Sequence, residues 1–185
     1  MNIVLIHPYI NVRDTHIYLS EPLGLVSLAT YLKHVFGLEL QVSILDLYAM
    51  GADSPKRKGA FYVKGIDDKN RIHHELKKRQ PDLIGIGCCF SGYFSEALEV
   101  AEMAKELYPS VPIVMGGAYA TLEAQSILRE QTCIDFIVCH EGEITLAHLV
   151  RELCGEGQMK SIDGLCFREA DHTVVMNPSV NLLRI

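Results

Sequence analysis

The fold of this 185-residue chain is decided by an apolar run that ends in two glycines. The stretch reads Val111-Pro112-Ile113-Val114-Met115-Gly116-Gly117-Ala118-Tyr119-Ala120-Thr121. A second run, Phe136–Val138, is followed in a similar way by His140-Glu141-Gly142-Glu143. In an open parallel sheet, ligands bind in the crevice at the carboxyl ends of the strands. Two such loops after consecutive strands therefore predict a single binding edge.

Strands and helices alternate outward from this stretch. The apolar runs typical of buried strands are Asn2–His7, Leu40–Leu45, Asp82–Cys88, Val111–Met115 and Cys133–Cys139. Helical periodicity or helix-ending residues place helices between Pro22 and Gly37, at Arg71–Arg79, from Ala97 to Leu107, at Glu123–Glu130 and at Glu141–Cys154. The alternation predicts an α/β, Rossmann-like fold with a doubly wound, parallel, five-stranded sheet and right-handed crossovers.

The C-terminal residues depart from this alternation. Ile162–Arg168 and Val174–Met176 flank a polar turn, which is typical of a β-hairpin. We therefore divide the chain into an α/β domain, residues 1–158, and a hairpin extension with a linker, residues 159–185. Tyr48–Asn70 has no regular period and is expected to be a long surface loop with at most one short element.

Composition and charge argue against two classes of partner. A net charge of −6 and a pI near 5.7 do not suit a surface that neutralises nucleic-acid phosphates. The longest apolar runs, such as Leu83–Phe90, fall far short of the roughly 20 residues that span a bilayer. Met1–Ile6 lacks the basic region of a signal peptide and is interpreted as a first strand. We expect a cytoplasmic protein with no nucleic-acid or membrane partner.

The cysteines do not have the spacing of a metal site. Six are present, at positions 88, 89, 133, 139, 154 and 166, and no two are separated as Cys-x-x-Cys. In a reducing compartment they are expected to be free thiols, most of them buried. Zinc sites and iron–sulfur clusters need clustered thiolates, so neither is predicted in this chain.

The loop after Val114 has little side-chain bulk. Gly116, Gly117 and Ala118 leave the backbone open to a ligand, and either glycine can take a positive φ. Thr121 is placed to cap the following helix, whose amino end favours a polar or anionic group. The competing interpretation is a tight turn with no ligand.

Two further loops at the same edge carry candidate ligand contacts. Ser91-Gly92 follows the third strand, and its hydroxyl suits either a ligand or a helix cap. Glu141-Gly142-Glu143 begins a helix, where the two acids complement the positive end of the helix dipole. Together the three loops predict a broad, shallow floor for a flat ligand.

Common nucleotide and hydrolase motifs are absent. No Gly-x-Gly-x-x-Gly and no Gly-x-x-x-x-Gly-Lys-Ser/Thr follows the first strand, and no Gly-x-Ser-x-Gly occurs. No base that would activate Cys88 or Cys89 as a nucleophile is recognisable in the sequence. A dehydrogenase, a P-loop enzyme and a serine hydrolase are disfavoured.

An ordered set of short motifs matches a known family. The motifs are Pro22-Leu23-Gly24-Leu25, Pro81-Asp82-Leu83-Ile84-Gly85-Ile86, Met115-Gly116-Gly117-Ala118-Tyr119-Ala120-Thr121, Asp135-Phe136-Ile137-Val138, Glu141-Gly142-Glu143 and Ile162-Asp163-Gly164-Leu165. In order and spacing this set resembles the amino-terminal cobalamin (B12)-binding domain of radical S-adenosylmethionine (SAM) enzymes. The resemblance covers essentially the whole chain.

The resemblance implies a flavodoxin-like sheet whose carboxyl edge holds the corrin, with the nucleotide tail buried beside the Gly-Gly loop. It implies cobalamin as the cofactor and a partner radical SAM domain with a [4Fe-4S] cluster, in the same or another chain, for methyl transfer or radical chemistry. This chain alone is then expected to carry no catalytic residue. The implied contacts are Ser91, Gly92, Gly116, Gly117, Ala118, Thr121, Glu141, Gly142 and Glu143.

The chain departs from related patterns in two ways. The family continues into a barrel with Cys-x-x-x-Cys-x-x-Cys, a motif not found in these residues, so an excised or solitary domain is expected. Mutase-type cobalamin domains carry Asp-x-His-x-x-Gly after the first strand, where the histidine replaces the lower cobalt ligand. Here Asp14-Thr15-His16-Ile17-Tyr18 is followed by Leu19 instead of glycine. His16 is thus a weak candidate for a cobalt ligand, and His7 a weaker one.

Two other functions fit the same fold. A flavodoxin-like domain that has lost its ligand would act as a scaffold or protein-interaction module. A flavin or other nucleotide module would be recognised by its colour on purification. The resemblance favours cobalamin over both.

Overall fold

The computed structural model describes residues 1–13, 21–51, 53 and 55–179. The elements of the first half are β1 (Asn2–His7), β2 (Ile10–Val12), α1 (Leu23–Phe36), β3 (Gln41–Asp46), β4 (Lys56–Lys58), β5 (Phe61–Lys64), α2 (Lys69–Arg79) and β6 (Leu83–Gly87). The second half contains α3 (Phe94–Leu107), β7 (Ile113–Gly116), α4 (Ala118–Leu122), α5 (Ala124–Glu130), β8 (Phe136–Val138), α6 (Gly142–Leu153), β9 (Leu165–Arg168) and β10 (Val174–Met176). His16 lies outside the described residues.

The central sheet has the predicted doubly wound topology. Its order is β10-β9-β8-β7-β6-β1-β3, and the five strands from β8 to β3 are parallel. Numbered along the chain, those five strands follow the flavodoxin order 2-1-3-4-5. The strand order therefore reverses at β1, between β3 on one side and β6 on the other. This switch point is where such a sheet opens a crevice for a ligand.

The predicted C-terminal hairpin is part of this sheet. β9 pairs antiparallel with β8, and β10 pairs with β9, so the sheet has seven strands. Arg168 ties β9 to the segment around α5, since its guanidinium donates to the carbonyls of Leu128 at 2.9 Å and Gln131 at 2.6 Å, and also to that of Ile134. The division of the chain at residue 158 stays a prediction.

The sheet separates two apolar clusters, as expected for strands that are apolar on both faces. One cluster lies under α2, α3, α4 and α5 and includes Ile84, Val100 and Ile127. The other lies under α1 and α6 and includes Leu5, Leu25, Val114, Val138 and Leu146. Strand residues alternate between the clusters, because successive side chains of a strand point to opposite faces.

Local signals set the helix ends. Gly37 follows α1 with a φ of 58°, a conformation that suits glycine. Asp68 caps α2 by accepting a hydrogen bond from the backbone N–H of Arg71 at 2.8 Å.

A second, three-stranded antiparallel sheet is a difference from the sequence prediction. β2, β5 and β4 form it in that order, so Tyr48–Asn70 is more structured than a surface loop. Each strand has only three or four residues, too few for a visible period of two. The hydroxyl of the fully buried Tyr9 donates to Glu99 of α3 and fixes the start of this sheet on the main core. Within the described residues, no helix is long and apolar enough to cross a bilayer.

Arg168→Met tests how firmly the hairpin is attached. The substitution keeps the aliphatic stem but leaves three backbone carbonyls without their donor. We expect the free energy of unfolding to fall by about 2 kcal/mol, the usual range for hydrogen bonds to a charged group. Urea unfolding followed by circular dichroism measures this. Arg71→Met, at an exposed side chain of α2, is the matched control. Equal stability of both variants would mean that Arg168 does not anchor β9.

Candidate functional site

A cavity of about 720 Å³ opens at the switch point of the sheet. The strand ends and the loops that follow β1, β6, β7 and β8 contribute to its lining, as do the first turns of α1 and α6. The lining residues are Leu5, His7, Pro8, Ile10, Val12, Glu21, Pro22, Leu23, Gly24, Leu25, Leu28, Tyr48, Lys64, Gly85, Ile86, Gly87, Cys88, Cys89, Phe90, Tyr93, Val114, Gly116, Gly117, Val138, His140, Glu141, Gly142, Glu143 and Leu146. The cavity therefore lies at the carboxyl edge of the sheet, which the sequence predicts as the binding edge.

The cavity is deeper than the shallow floor that the sequence predicts. Leu5, Gly85 and Val114 form one row across β1, β6 and β7, two residues before each strand ends, and all three line the cavity. Leu25 of α1 and Leu146 of α6 line it as well. The cavity therefore extends from the sheet edge into the apolar cluster beneath these two helices.

Glycines keep this space open. A Cβ on Gly87 would be no closer than 3.6 Å to any neighbouring heavy atom, the nearest being Cδ2 of Leu25. A Cβ on Gly116 would be 3.5 Å from the carbonyl oxygen of Val138. Both distances are ordinary van der Waals contacts, so packing within the protein does not demand glycine here. The missing side chains leave room for a ligand instead.

Gly117 has a different role. Its φ of 112° is disfavoured for any residue with a side chain, and a Cβ here would lie 2.5 Å from the carbonyl oxygen of Cys88. The same carbonyl accepts the N–H of Ala120 at 3.3 Å, while the N–H of Cys88 donates to the oxygen of Gly116 at 2.7 Å. Gly117 therefore allows the loops after β6 and β7 to lie in direct contact.

Thr121 does not cap a helix, contrary to prediction. It lies inside the short helix α4, and its Oγ1 accepts the backbone N–H of His140 at 2.9 Å. His140 has a φ of 60°, which is uncommon for a residue other than glycine. Thr121 thus fixes the turn that leads from β8 into α6.

The start of α6 forms another wall. Glu141 is its N-cap residue but makes no side-chain capping hydrogen bond. Glu143, in the first turn, accepts from Oγ of Ser27 at 2.5 Å, which joins α6 to α1. Gly142 permits this approach, because a Cβ there would lie 3.1 Å from Val138 and 3.2 Å from Leu28.

The predicted contacts divide into two groups. Gly116, Gly117, Glu141, Gly142 and Glu143 line the cavity. Outside its lining are Ser91, Gly92, Ala118 and Thr121. Ser91 is exposed and begins a short 3₁₀ turn, and α3 has no side-chain cap, so the capping role considered for Ser91 is wrong. That these nine residues contact a ligand stays a prediction.

His7 lines the cavity, and its contact with Asp46 was not predicted from the sequence. His7 ends β1 and is paired in register with Asp46, the last residue of β3. Its Nδ1 donates to Oδ1 of Asp46 at 3.1 Å. Partial burial works to raise the pKa of Asp46, but hydrogen bonds from His7 and from the Ala49 amide outweigh it and hold that pKa below its ordinary value.

The thiols at the cavity differ in reactivity. Burial raises the pKa of Cys88 to about 12, so its thiolate is not accessible near neutral pH. Cys89 is exposed. Among the residues whose positions are described, no cluster of three or more histidine, cysteine or acidic side chains is suited to hold a metal ion by itself.

Comparison with known proteins gives a family match over most of the chain. The family model of the B12 binding domain matches residues 12–150. An uncharacterized methyltransferase of Pyrococcus horikoshii is 38% identical over 94 residues, which are 51% of this chain and 20% of that protein. Cytidylyl-2-hydroxyethylphosphonate methyltransferase of Streptomyces wedmorensis is 28% identical over 167 residues, 89% of this chain and 30% of that protein.

Solved structures share the fold. The cobalamin-dependent S-adenosylmethionine radical enzyme OxsB with bound aqua-cobalamin superposes with a TM-score of 0.74 at 18% identity, over 97% of this chain and 22% of OxsB. The radical S-adenosylmethionine methyltransferase TsrM from Kitasatospora setae, with cobalamin and a [4Fe-4S] cluster bound, gives a TM-score of 0.72 at 20% identity, over 98% and 29% of the two chains. This chain thus spans less than a third of each of these relatives.

The family match extends over three quarters of the sequence and over nearly every element that lines the cavity. The predicted flavodoxin-like fold and the predicted cobalamin-binding family are confirmed. The chain belongs to the family of B12-binding domains, and it shares its fold with cobalamin-dependent radical SAM enzymes.

Proposed function

We propose that this chain is the cobalamin-binding module of a radical SAM enzyme, and that it positions B12 for methyl transfer or radical chemistry carried out with another domain. The observation that carries the proposal is the cavity at the switch point, which Gly87 and Gly116 keep open although internal packing does not require glycine at either position. Two relatives that are named as methyltransferases support methyl transfer.

The residues around the cavity fit the two chemically different parts of cobalamin. The deep part is apolar, with Leu5, Val114 and Leu146 among its lining, and suits the flat aromatic base of the nucleotide tail. The outer part carries polar groups, among them the exposed Glu141, that suit the amide side chains of the corrin ring. A nonpolar pocket with a few polar groups at its mouth is the usual form of a cofactor site.

The predicted contacts then have separate roles. Gly116, Gly117 and Gly142 give the tail access to the backbone, and Glu141 and Glu143 present carboxylates at the outer part. Thr121 acts indirectly, because it fixes the His140 turn through a hydrogen bond. Ser91, Gly92 and Ala118 lie close in sequence to the lining and are assigned to the outer rim.

Cobalt chemistry, when cobalamin is bound, is supplied by the cofactor, while this chain binds it, orients it and keeps water from its tail. We assign catalysis and the [4Fe-4S] cluster to a radical SAM domain in the same or another chain. The hairpin of residues 159–185 is proposed to lead toward that domain. No cluster is assigned to residues 1–185, because their cysteines lack the spacing of a cluster motif.

We also propose a cytoplasmic location. All six cysteines are free, and three of them, Cys88, Cys139 and Cys166, are buried. Unpaired buried thiols are typical of proteins from reducing compartments.

Gly87→Leu tests the cavity directly. The new side chain begins in open space next to Leu25, so it fills the cavity without a clash at its Cβ. We expect at least a tenfold loss of hydroxocobalamin affinity with an unchanged far-UV circular dichroism spectrum. Corrin absorbance retained after desalting and a hydroxocobalamin titration measure binding, and far-UV circular dichroism checks the fold.

Two variants serve as controls for this experiment. Gly87→Ala adds only one methyl group and should have a smaller effect. Ala170→Leu adds the same bulk at an exposed turn of the hairpin and should bind like the wild type. Wild-type affinity in Gly87→Leu would contradict the proposed location of the cofactor. A wild-type protein that retains no corrin would instead favour the scaffold function.

Thr121→Val tests the indirect role of this residue. Valine has nearly the same shape but cannot accept the N–H of His140. We expect cobalamin affinity to fall about fivefold, which corresponds to one hydrogen bond of about 1 kcal/mol. Thr121→Ser should keep the wild-type affinity. Thr30→Val is the matched control, because among the described residues the hydroxyl of Thr30 donates within α1, to the carbonyl of Val26. A loss in Thr121→Ser equal to that in Thr121→Val would show that the hydroxyl is not responsible.

A further inference from the structure

The deep part of the cavity is lined by apolar side chains and glycine. Leu5, Gly85 and Val114 form its floor, and Leu25 and Leu146 line it from α1 and α6. The four side chains belong to one apolar cluster, and each of these residues is exposed by 9% or less. The polar side chains of the lining lie elsewhere, at strand ends, in the loops, at the starts of helices or in the small sheet.

The backbone of the floor is not available to a ligand either. The strands β1, β6 and β7 each have a hydrogen-bonded strand on both sides, so their N–H and C=O groups are engaged in the sheet. Leu146 lies one turn inside α6, where its N–H bonds within the helix. A polar ligand group buried against these described residues therefore meets no hydrogen-bond partner.

We infer that this floor selects among cobamides, the corrin cofactors that share one ring system and differ in the base of the nucleotide tail. It accepts an apolar aromatic base, such as dimethylbenzimidazole or a phenol, and rejects a purine. Val114 of the floor and Leu146 of α6 are the specificity-determining residues. The inference rests on the proposed function and deepens it, because it specifies which form of the cofactor the chain binds.

The bases differ in how many polar atoms they would bury. Adenine has an exocyclic amine that donates two hydrogen bonds and several ring nitrogens that accept them. Dimethylbenzimidazole has one accepting nitrogen and two methyl groups, and the ring of p-cresol has only the oxygen that joins it to the ribose. A polar group that leaves water without gaining a new partner costs free energy, so the floor penalises adenine most.

The polar residues nearest to Leu146 along α6 already have partners. Glu143, one turn earlier, accepts from Oγ of Ser27 at 2.5 Å and is held at the junction of α6 with α1. Thr145 donates its hydroxyl to the carbonyl of Asp163 at 2.7 Å, and it is not part of the cavity lining. Size does not separate the bases, because a cavity of about 720 Å³ is larger than any of them. Selection therefore rests on polarity.

The affinities of two cobamides test the inference. Methylated p-cresolylcobamide and methylated adeninylcobamide are compared by equilibrium ultrafiltration, with corrin absorbance as the readout. Neither base holds cobalt firmly at neutral pH, so the comparison is not biased by loss of a bond between cobalt and the base. We expect p-cresolylcobamide to bind at least about tenfold more tightly, the change that one buried unpaired polar group produces. Equal affinities, or tighter binding of adeninylcobamide, would overturn the inference.

Cobinamide, which has the corrin ring but no nucleotide tail, tests whether a base reaches the floor. We expect it to bind at least about tenfold more weakly than p-cresolylcobamide, because burial of an aromatic ring against apolar side chains is favourable. Equal affinity of the two would overturn the inference, since the base would then gain nothing from the floor.

Two variants assign the selection to named residues. Val114→Thr places a hydroxyl on the floor with nearly the same shape, and Leu146→Gln places an amide on α6. Each should lower the ratio of the adeninylcobamide to the p-cresolylcobamide dissociation constant by about fivefold, which corresponds to one hydrogen bond. Val26→Thr is the matched control, because Val26 is an exposed residue of α1 outside the lining, and it should keep the wild-type ratio. An unchanged ratio in both Val114→Thr and Leu146→Gln would overturn the assignment.

These outcomes are distinct from a failure of the proposed function. The ratio compares two ligands on the same protein, so a general loss of stability cancels. If one variant does not fold, the other variant and the wild-type comparison still decide. A wild-type protein that retains no cobamide of any kind would contradict the proposed function, whereas retention without discrimination would contradict this inference alone.

Discussion

The site depends on one constraint, the absence of side chains where two neighbouring parallel strands, β6 and β7, end together. Gly87 and Gly116 are paired in register at the ends of β6 and β7, and Gly85 lies one row deeper beside Leu5. Glycine within a strand costs roughly 0.5 to 1 kcal/mol relative to alanine, because it loses more conformational entropy on folding. Packing of the surrounding sheet compensates for this loss of stability. Binding of a ligand to the folded state offsets it by mass action.

Much of the fold was accessible to sequence reasoning. The five parallel strands and α1 follow from unbroken apolar runs and from helical periodicity, which depend on local sequence alone. The positive φ of Gly117 follows from two glycines after a strand. The small sheet of β2, β5 and β4 was missed, because its strands have three or four residues and β2 pairs with β5 across about fifty positions of sequence.

The site was harder to predict than the fold, because most of its residues come together only through topology. Thr121 meets His140 across the loops of two neighbouring strands, and His7 meets Asp46 through the register of β1 and β3. No local pattern encodes such contacts. Gly85 and Gly87 did carry a signal, since a glycine inside an apolar strand often marks a close approach by a ligand. That signal would have extended the predicted site from the loops into the strands.

The hairpin at the edge of the sheet reverses the direction of the chain twice. β8 runs toward the cavity edge, β9 runs away from it, and β10 returns, so that the oxygen of Pro178 accepts the N–H of Gly164 beside the start of β9. Pro178 therefore lies at the rim that surrounds the cavity mouth, not at the opposite end of the domain. A partner joined to this rim by a short tether would be held at high effective concentration over the opening.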